Sequence, residues 1–150
     1  MVPLDERFTL ALQAGGRAWR LALERQLKAC GLTLAGWSAV ATLAEMERAG
    51  EQGGRAPSQT ELAQQLGVDG GTLVATIDRL SAAGLIERVP SPHDRRVKLL
   101  VLTPEGGQLA QEVKAHAQAL RRDALERLDP GELATAAAVL EQLQQILENP

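Results

Sequence analysis

Residues 58–103 read SQTELAQQLGVDGGTLVATIDRLSAAGLIERVPSPHDRRVKLLVLT, and their punctuation decides the fold. Ser58-Gln59-Thr60-Glu61 is a capping box, in which the Ser hydroxyl and the Glu carboxylate exchange hydrogen bonds with each other's backbone N–H. The helix that it opens runs through Leu62 and Leu66 and stops at Gly67. Asp69 caps a second helix, carrying Leu73, Ile77 and Leu80, which Gly84 terminates. Two helices split by the short turn Gly67-Val68-Asp69 form either a helix-turn-helix or a plain antiparallel pair of core helices. The residues after Gly84 separate these readings. Residues 85–89 (LIERV) and 97–102 (VKLLVL) are β-rich runs bracketing a Pro-Ser-Pro-His-Asp-Arg-Arg loop. A two-stranded hairpin directly after a helix-turn-helix is a wing.

Upstream, Leu12, Gly16, Trp19, Leu23 and Leu27 recur at three- and four-residue spacing, which predicts a striped helix near residues 6–29. Gly31 is placed to cap it in the left-handed conformation. Thr33 caps a second helix, with Trp37, Val40, Ala41 and Ala44, that runs to about Arg48. AGEQGGRAP, residues 49–57, lacks periodicity and reads as a flexible connector. Downstream, Thr103-Pro104 restarts a helix, with Thr as N-cap and Pro at its first position. Leu109, Val113, His116, Leu120, Ala124 and Leu128 stripe that helix. Asp129-Pro130-Gly131-Glu132 then opens a last one, striped by Leu133, Ala137, Leu140, Leu143 and Leu147. The fold class is mainly α with a small hairpin (α+β), a single chain over 1–150 with a winged helix-turn-helix at 33–103. Helices at 6–30 and 104–148 flank it. Their apolar stripes either meet a partner or pack on each other.

Composition bounds the function. A hydrophobic share of 45% with 23% charged residues describes an ordinary globular chain, and only Phe8, Trp19 and Trp37 are aromatic. No apolar run approaches the roughly 18 residues of a membrane span, and the start MVPLDERFTL is no secretory signal. These features predict a cytoplasmic protein with no membrane partner. A lone cysteine, Cys30, excludes an internal disulfide and reads as a small residue at a helix end. His93 and His116 have no ligand at metal spacing, so no metal site is expected. There is no phosphate loop after a strand, no Gly-x-Ser-x-Gly elbow and no carboxylate constellation, so no catalytic residue is assigned and no enzyme is expected.

Net charge is −3, with 16 Lys+Arg against 19 Asp+Glu, yet the charge is unevenly placed. Residues 79–98 hold five Lys/Arg against two acids, whereas residues 105–150 hold four against eight. A basic winged helix on an acidic body is the footprint of a double-stranded DNA partner. Prolines stiffen the loop and the hairpin aims it, so that Arg95 or Arg96 can enter a narrow A·T-rich minor groove. A lone Arg pair on a loop is ordinarily just solvated; its place after a helix-turn-helix favours the groove.

These residues carry a family resemblance. Gln59-Thr60-Glu61-Leu62-Ala63, Leu66-Gly67-Val68, Asp78-Arg79-Leu80, Gly84-Leu85-Ile86-Glu87-Arg88, Asp94-Arg95-Arg96 and Leu102-Thr103-Pro104-Glu105-Gly106 resemble the MarR family of winged-helix regulators. Trp19-Arg20, Leu27-Lys28, Leu32-Thr33 and Trp37 are similar to its SlyA branch. The resemblance implies a homodimeric transcriptional regulator, with the flanking helices intertwined and each recognition helix, residues 69–83, in a major groove of a pseudo-palindromic site. The expected DNA contacts are Ser58, Gln59, Gly70, Gly71, Thr72, Val74, Ala75, Thr76, Arg79, Arg95 and Arg96.

Ala75 stands where the SlyA pattern carries Arg, and Gly70 and Gly71 bring no side chains to the helix start. Base edges are left to Thr72 and Thr76 by hydroxyl, and to Val74 or Ala75 by contact with a thymine methyl. Specificity then rests on wing and DNA shape, the glycines letting backbone N–H groups approach phosphates. The alternative is a winged-helix dimer that binds proteins or small molecules and has lost specific DNA readout. Arg17 and Arg20, three apart on one helix face, can grip a carboxylate, and Trp37 offers a flat apolar wall beside them and Trp19. The resemblance implies that these positions serve an aromatic acid such as salicylate, bound as an effector with no cofactor required; the competing reading makes Trp37 core and pairs the arginines elsewhere.

Overall fold

The computed structural model describes residues 1–50 and 56–150, so the middle of the connector expected at 49–57 lies outside the described residues. The elements follow in the order α1 (Leu4–Ala29), α2 (Leu34–Gly50), α3 (Gln59–Leu66), α4 (Gly70–Ala82), β1 (Ile86–Pro90), β2 (Lys98–Leu102), α5 (Pro104–Leu125) and α6 (Pro130–Glu148). They fall into two compact units, Met1–His116 and Ala117–Pro150.

In the first unit several helix ends have a local chemical cause. Thr33 Oγ1 accepts from the Gly36 N–H at 3.0 Å, and Ser58 Oγ accepts from the Glu61 N–H at 3.2 Å, as their cap positions predict. Gly31, Gly67 and Gly84 have φ of +73°, +68° and +75°, the left-handed conformation that lets the chain leave a helix without a Cβ penalty. Leu27, Leu43, Leu62, Ile77, Ile86, Leu100 and Val113 are fully buried and make an aliphatic core. The hairpin is antiparallel, with Ile86 opposite Leu102 and Pro90 opposite Lys98.

Two contacts cover the outer edge of β2. The Leu100 N–H donates to the Pro57 carbonyl at 2.8 Å, and Ser58 forms a bridge with Leu99, which adds a one-residue third strand. The Leu102 N–H donates to Glu47 Oε1 at 2.8 Å, a link from α2 across 55 positions. An exposed row of strand donors is a template for aggregation, and these contacts occupy the Leu100 and Leu102 donors.

The long apolar stripes do not behave as core within one chain. On α1 only Leu23 and Leu27 are buried, while Leu12, Gly16 and Trp19 are exposed. In the second unit Asp129 caps α6 by accepting from the Glu132 N–H at 2.9 Å, and no residue of α6 is buried. Leu140 is 42% exposed and Leu147 is 69% exposed. Among the described residues, no single helix is long and apolar enough to cross a membrane.

Candidate nucleic-acid interface

The phase of α4 divides its side chains cleanly. Leu73, Thr76, Ile77 and Leu80 are buried, so Gly70, Gly71, Thr72, Val74, Ala75, Asp78 and Arg79 form the exposed surface. Thr76, expected to read bases, instead turns inward and is 7% exposed. The physical reason is its place three residues after Leu73 and four before Leu80, on their face of the helix. Thr72 is exposed, but its hydroxyl donates to Asp69 Oδ2 at 3.0 Å and its backbone N–H donates to Asp69 Oδ1 at 2.9 Å.

Those bonds hold the Asp69 carboxyl below the ordinary aspartate range, the Thr72 backbone N–H contributing most, then its hydroxyl and the Gly71 N–H. The start of α4 therefore already carries an anion. Phosphate approach to the N–H groups beside Gly70 and Gly71, expected from the bare glycines, competes with that resident carboxylate. Ser58 and Gln59 sit half-buried at the start of α3, with the Ser58 oxygen engaged as the helix cap.

The wing tip is a closed turn. The Ser91 N–H donates to the Val97 carbonyl at 2.9 Å and the Val97 N–H to the Asp94 carbonyl at 3.0 Å. The Asp94 carboxylate accepts from the Arg96 backbone N–H at 3.0 Å, from Nε at 3.1 Å and from Nη2 at 3.2 Å. The Arg96 guanidinium, and then its N–H, hold the Asp94 carboxyl below its ordinary range. Arg95 is exposed and, among the described residues, makes no hydrogen bond or ion pair. The two arginines are thus unlike: Arg96 belongs to the turn and Arg95 is free.

The base of the wing is tied down on both sides. The Arg88 guanidinium donates to Asp78 on α4, fixing the hairpin against the exposed helix. At the far end the Thr103 hydroxyl donates to the Gly84 carbonyl, the Thr103 N–H donates to the Leu85 carbonyl at 3.1 Å, and the Gly106 N–H donates to Thr103 Oγ1 at 3.1 Å. This knot gives a physical role to the Leu-Thr-x-x-Gly run at 102–106.

Arg17, Trp19 and Arg20 all lie on the part of α1 that precedes its two buried residues, and all three are exposed. Trp37 is half-buried on α2. One chain alone does not gather the four into an enclosed site. Recesses elsewhere among the described residues include one of about 250 Å³ with Thr33, Gly36, Thr76 and Arg79, and one of about 270 Å³ with Ser38, Val68, Thr72 and Leu73. Sequence reasoning misses both, although the cap at Thr33 and the inward phase of Thr76 point toward them. At Cys30, burial raises the thiol pKa and Glu112 raises it further, the opposite of a reactive thiolate.

A helix-turn-helix followed by a two-stranded wing with an unpaired cation at its tip defines a winged helix-turn-helix. The family model of the MarR family matches residues 31–97. The transcriptional regulator PA3341 is 37% identical, with 95% of this chain and 99% of that chain covered and a TM-score of 0.76. AbsC, a MarR family transcriptional regulator from Streptomyces coelicolor, is 25% identical over 100% of this chain and 99% of its own, at a TM-score of 0.80. CouR from Rhodococcus jostii RHA1, solved bound to p-coumaroyl-CoA, is 25% identical over 95% of both chains, at 0.73. The chain belongs to the MarR family of transcriptional regulators.

Proposed function

We propose that this regulator is a cytoplasmic, ligand-responsive repressor that binds a pseudo-palindromic operator as a homodimer. The observation that carries the DNA reading is the free Arg95 guanidinium at the tip of a wing whose turn Asp94 and Arg96 lock. Residues 33–103 form the reading head. Arg95 enters the minor groove, Arg96, Arg79, Ser58 and Gln59 lie along phosphates, and Gly70, Gly71, Thr72, Val74 and Ala75 face the major groove. The exposed apolar residues of α1 and α6 support the assignment of 6–30 and 104–148 to dimerisation.

Arg17, Trp19, Arg20 and Trp37 are the effector site, completed on dimerisation, for an aromatic acid such as salicylate. That CouR holds an aromatic acyl thioester supports an aromatic ligand for this fold. A ligand regulates only insofar as it prefers one spacing of the two reading heads.

The test is fluorescence anisotropy with a labelled duplex from upstream of the protein's own gene, across a salt series, against scrambled competitor. Affinity that beats competitor and falls steeply with salt is the expected result. Salicylate is then added to the complex and should release it. A failure to bind that duplex and duplexes selected from a random pool would turn the reading to the alternative, a winged-helix dimer acting as a protein- or small-molecule-binding module without DNA readout.

A further inference from the structure

The outer face of α4 is chemically bare over its first two turns, where a recognition helix meets base edges. Gly70 and Gly71 present no side chain, Thr76 is buried, and the Thr72 hydroxyl donates its proton to Asp69 at 3.0 Å, which leaves it no donor for a base and only its acceptor lone pairs. Asp78 faces outward but is paired with Arg88. The side chains left are Val74, 41% exposed, and the methyl group of Ala75. Arg79 is the remaining donor on this surface. It lies in the last turn of α4, about 6 Å further along the axis than Ala75. There it lines the recess at the start of α2 beside Thr33, a place suited to a backbone phosphate.

We infer that this protein recognises its operator through the C5-methyl groups of thymine packed against Val74 and Ala75, and not through hydrogen bonds to base edges in the major groove. The inference rests on the DNA-binding reading above and names what that surface reads. Thymine is the one base whose major-groove edge carries an apolar group, and an aliphatic side chain distinguishes it by excluding water from that methyl. The operator half-site must then place thymines under α4. The wing, in the minor groove, is blind to the methyl because A·T pairs show only N3 and O2 acceptors there.

The experiment uses the full-length protein and a duplex that it selects from a pool randomised over its central 24 base pairs. That duplex is resynthesised with deoxyuridine replacing one thymidine at a time, which removes a methyl and leaves every hydrogen-bonding group in place. Under α4 each replacement should weaken binding roughly fourfold per lost methyl contact, whereas replacements under the wing tip should have no effect. Val74→Ala should bind the thymine duplex more weakly and lose its sensitivity to deoxyuridine at the contacted position. If every deoxyuridine duplex binds within twofold of the parent while Arg79→Ala abolishes base discrimination, the inference is overturned and Arg79 is the reader. If the pool yields no duplex at all, the DNA-binding reading itself fails, and this inference with it.

Discussion

Gly106 lies against the carbonyl of Leu85. A Cβ built on Gly106 would stand 2.0 Å from that oxygen, far inside van der Waals contact, with the Leu102 side chain a further 3.2 Å neighbour. The two residues join the first turn of α5 to the segment that feeds the wing, and Thr103 bonds to the same segment through both its hydroxyl and its N–H. Close backbone approach is what confines this position to glycine.

Gly106→Ala should therefore cost about 1–3 kcal/mol, as overpacking against rigid backbone does, and lower the melting temperature by several degrees. Its neighbour provides the control. A Cβ on Gly107 meets nothing within 4 Å, so Gly107→Ala in the helix should raise stability by about 0.5–1 kcal/mol. Thermal unfolding of the two variants side by side measures the difference, and equal shifts of the same sign would discard the account of the knot.

The two wing arginines should separate in a salt series. Arg95 makes no hydrogen bond or ion pair among the described residues, so Arg95→Ala should weaken DNA binding and reduce the slope of log affinity against log salt by about one, for the single positive charge withdrawn from the minor groove. Arg96 shares three hydrogen bonds with Asp94. Asp94→Ala and Arg96→Ala should thus both loosen the turn, and the double variant should lose little more than the worse single one. Fully additive losses would mean that Arg96 acts on DNA independently of the turn.

Much of this architecture is legible in the sequence because its signals are local. The caps at Thr33, Ser58, Asp69 and Asp129 and the left-handed glycines at 31, 67 and 84 depend only on residues within one helical turn. The structure lengthens α1 to Leu4 and α2 to Gly50, within ordinary fraying of helix ends. The Pro57–Leu100 and Glu47–Leu102 bonds are not legible, since no spacing rule connects residues more than forty positions apart. Nor is the difference between Arg95 and Arg96, which depends on the turn that brings Asp94 back onto its second neighbour. Thr76 is another matter: the stripe of Leu73, Ile77 and Leu80 already places it inward, and a hydroxyl does not change the phase of a helix.

Acid should weaken the reading head in a defined window. Asp69 and Asp94 both titrate below the ordinary aspartate value of about 3.9 because each carboxylate accepts hydrogen bonds in the folded state. A depressed folded-state pKa contributes stability above the unfolded value, and that contribution is lost as pH falls through the folded value. The stability curve should thus be insensitive to these two groups near neutrality and decline below about pH 4. Asp69→Asn keeps a cap that accepts from Thr72 but cannot titrate, so its decline in acid should be shallower than that of the unaltered protein. Denaturant unfolding at a series of pH values measures this; parallel curves would remove Asp69 from the account.

The apolar residues of α6 make the sharpest test of the proposed dimer. No residue of that helix is buried in the single chain, and Leu140, Ile146 and Leu147 are 42%, 66% and 69% exposed. Exposed leucines at this density are unfavourable in water by about 25 cal/mol for each Å² of apolar surface that a partner would cover. A charged residue placed there would resist that burial without disturbing a core that does not include it. Leu140→Glu with Leu147→Glu should leave the helical signal intact, convert the protein to a monomer in light scattering after size exclusion, and weaken operator binding by at least tenfold as the two reading heads become independent. If the variant stays dimeric, α6 is not the dimer contact, and the exposed α1 residues Phe8, Leu12 and Trp19 become the surface to alter next.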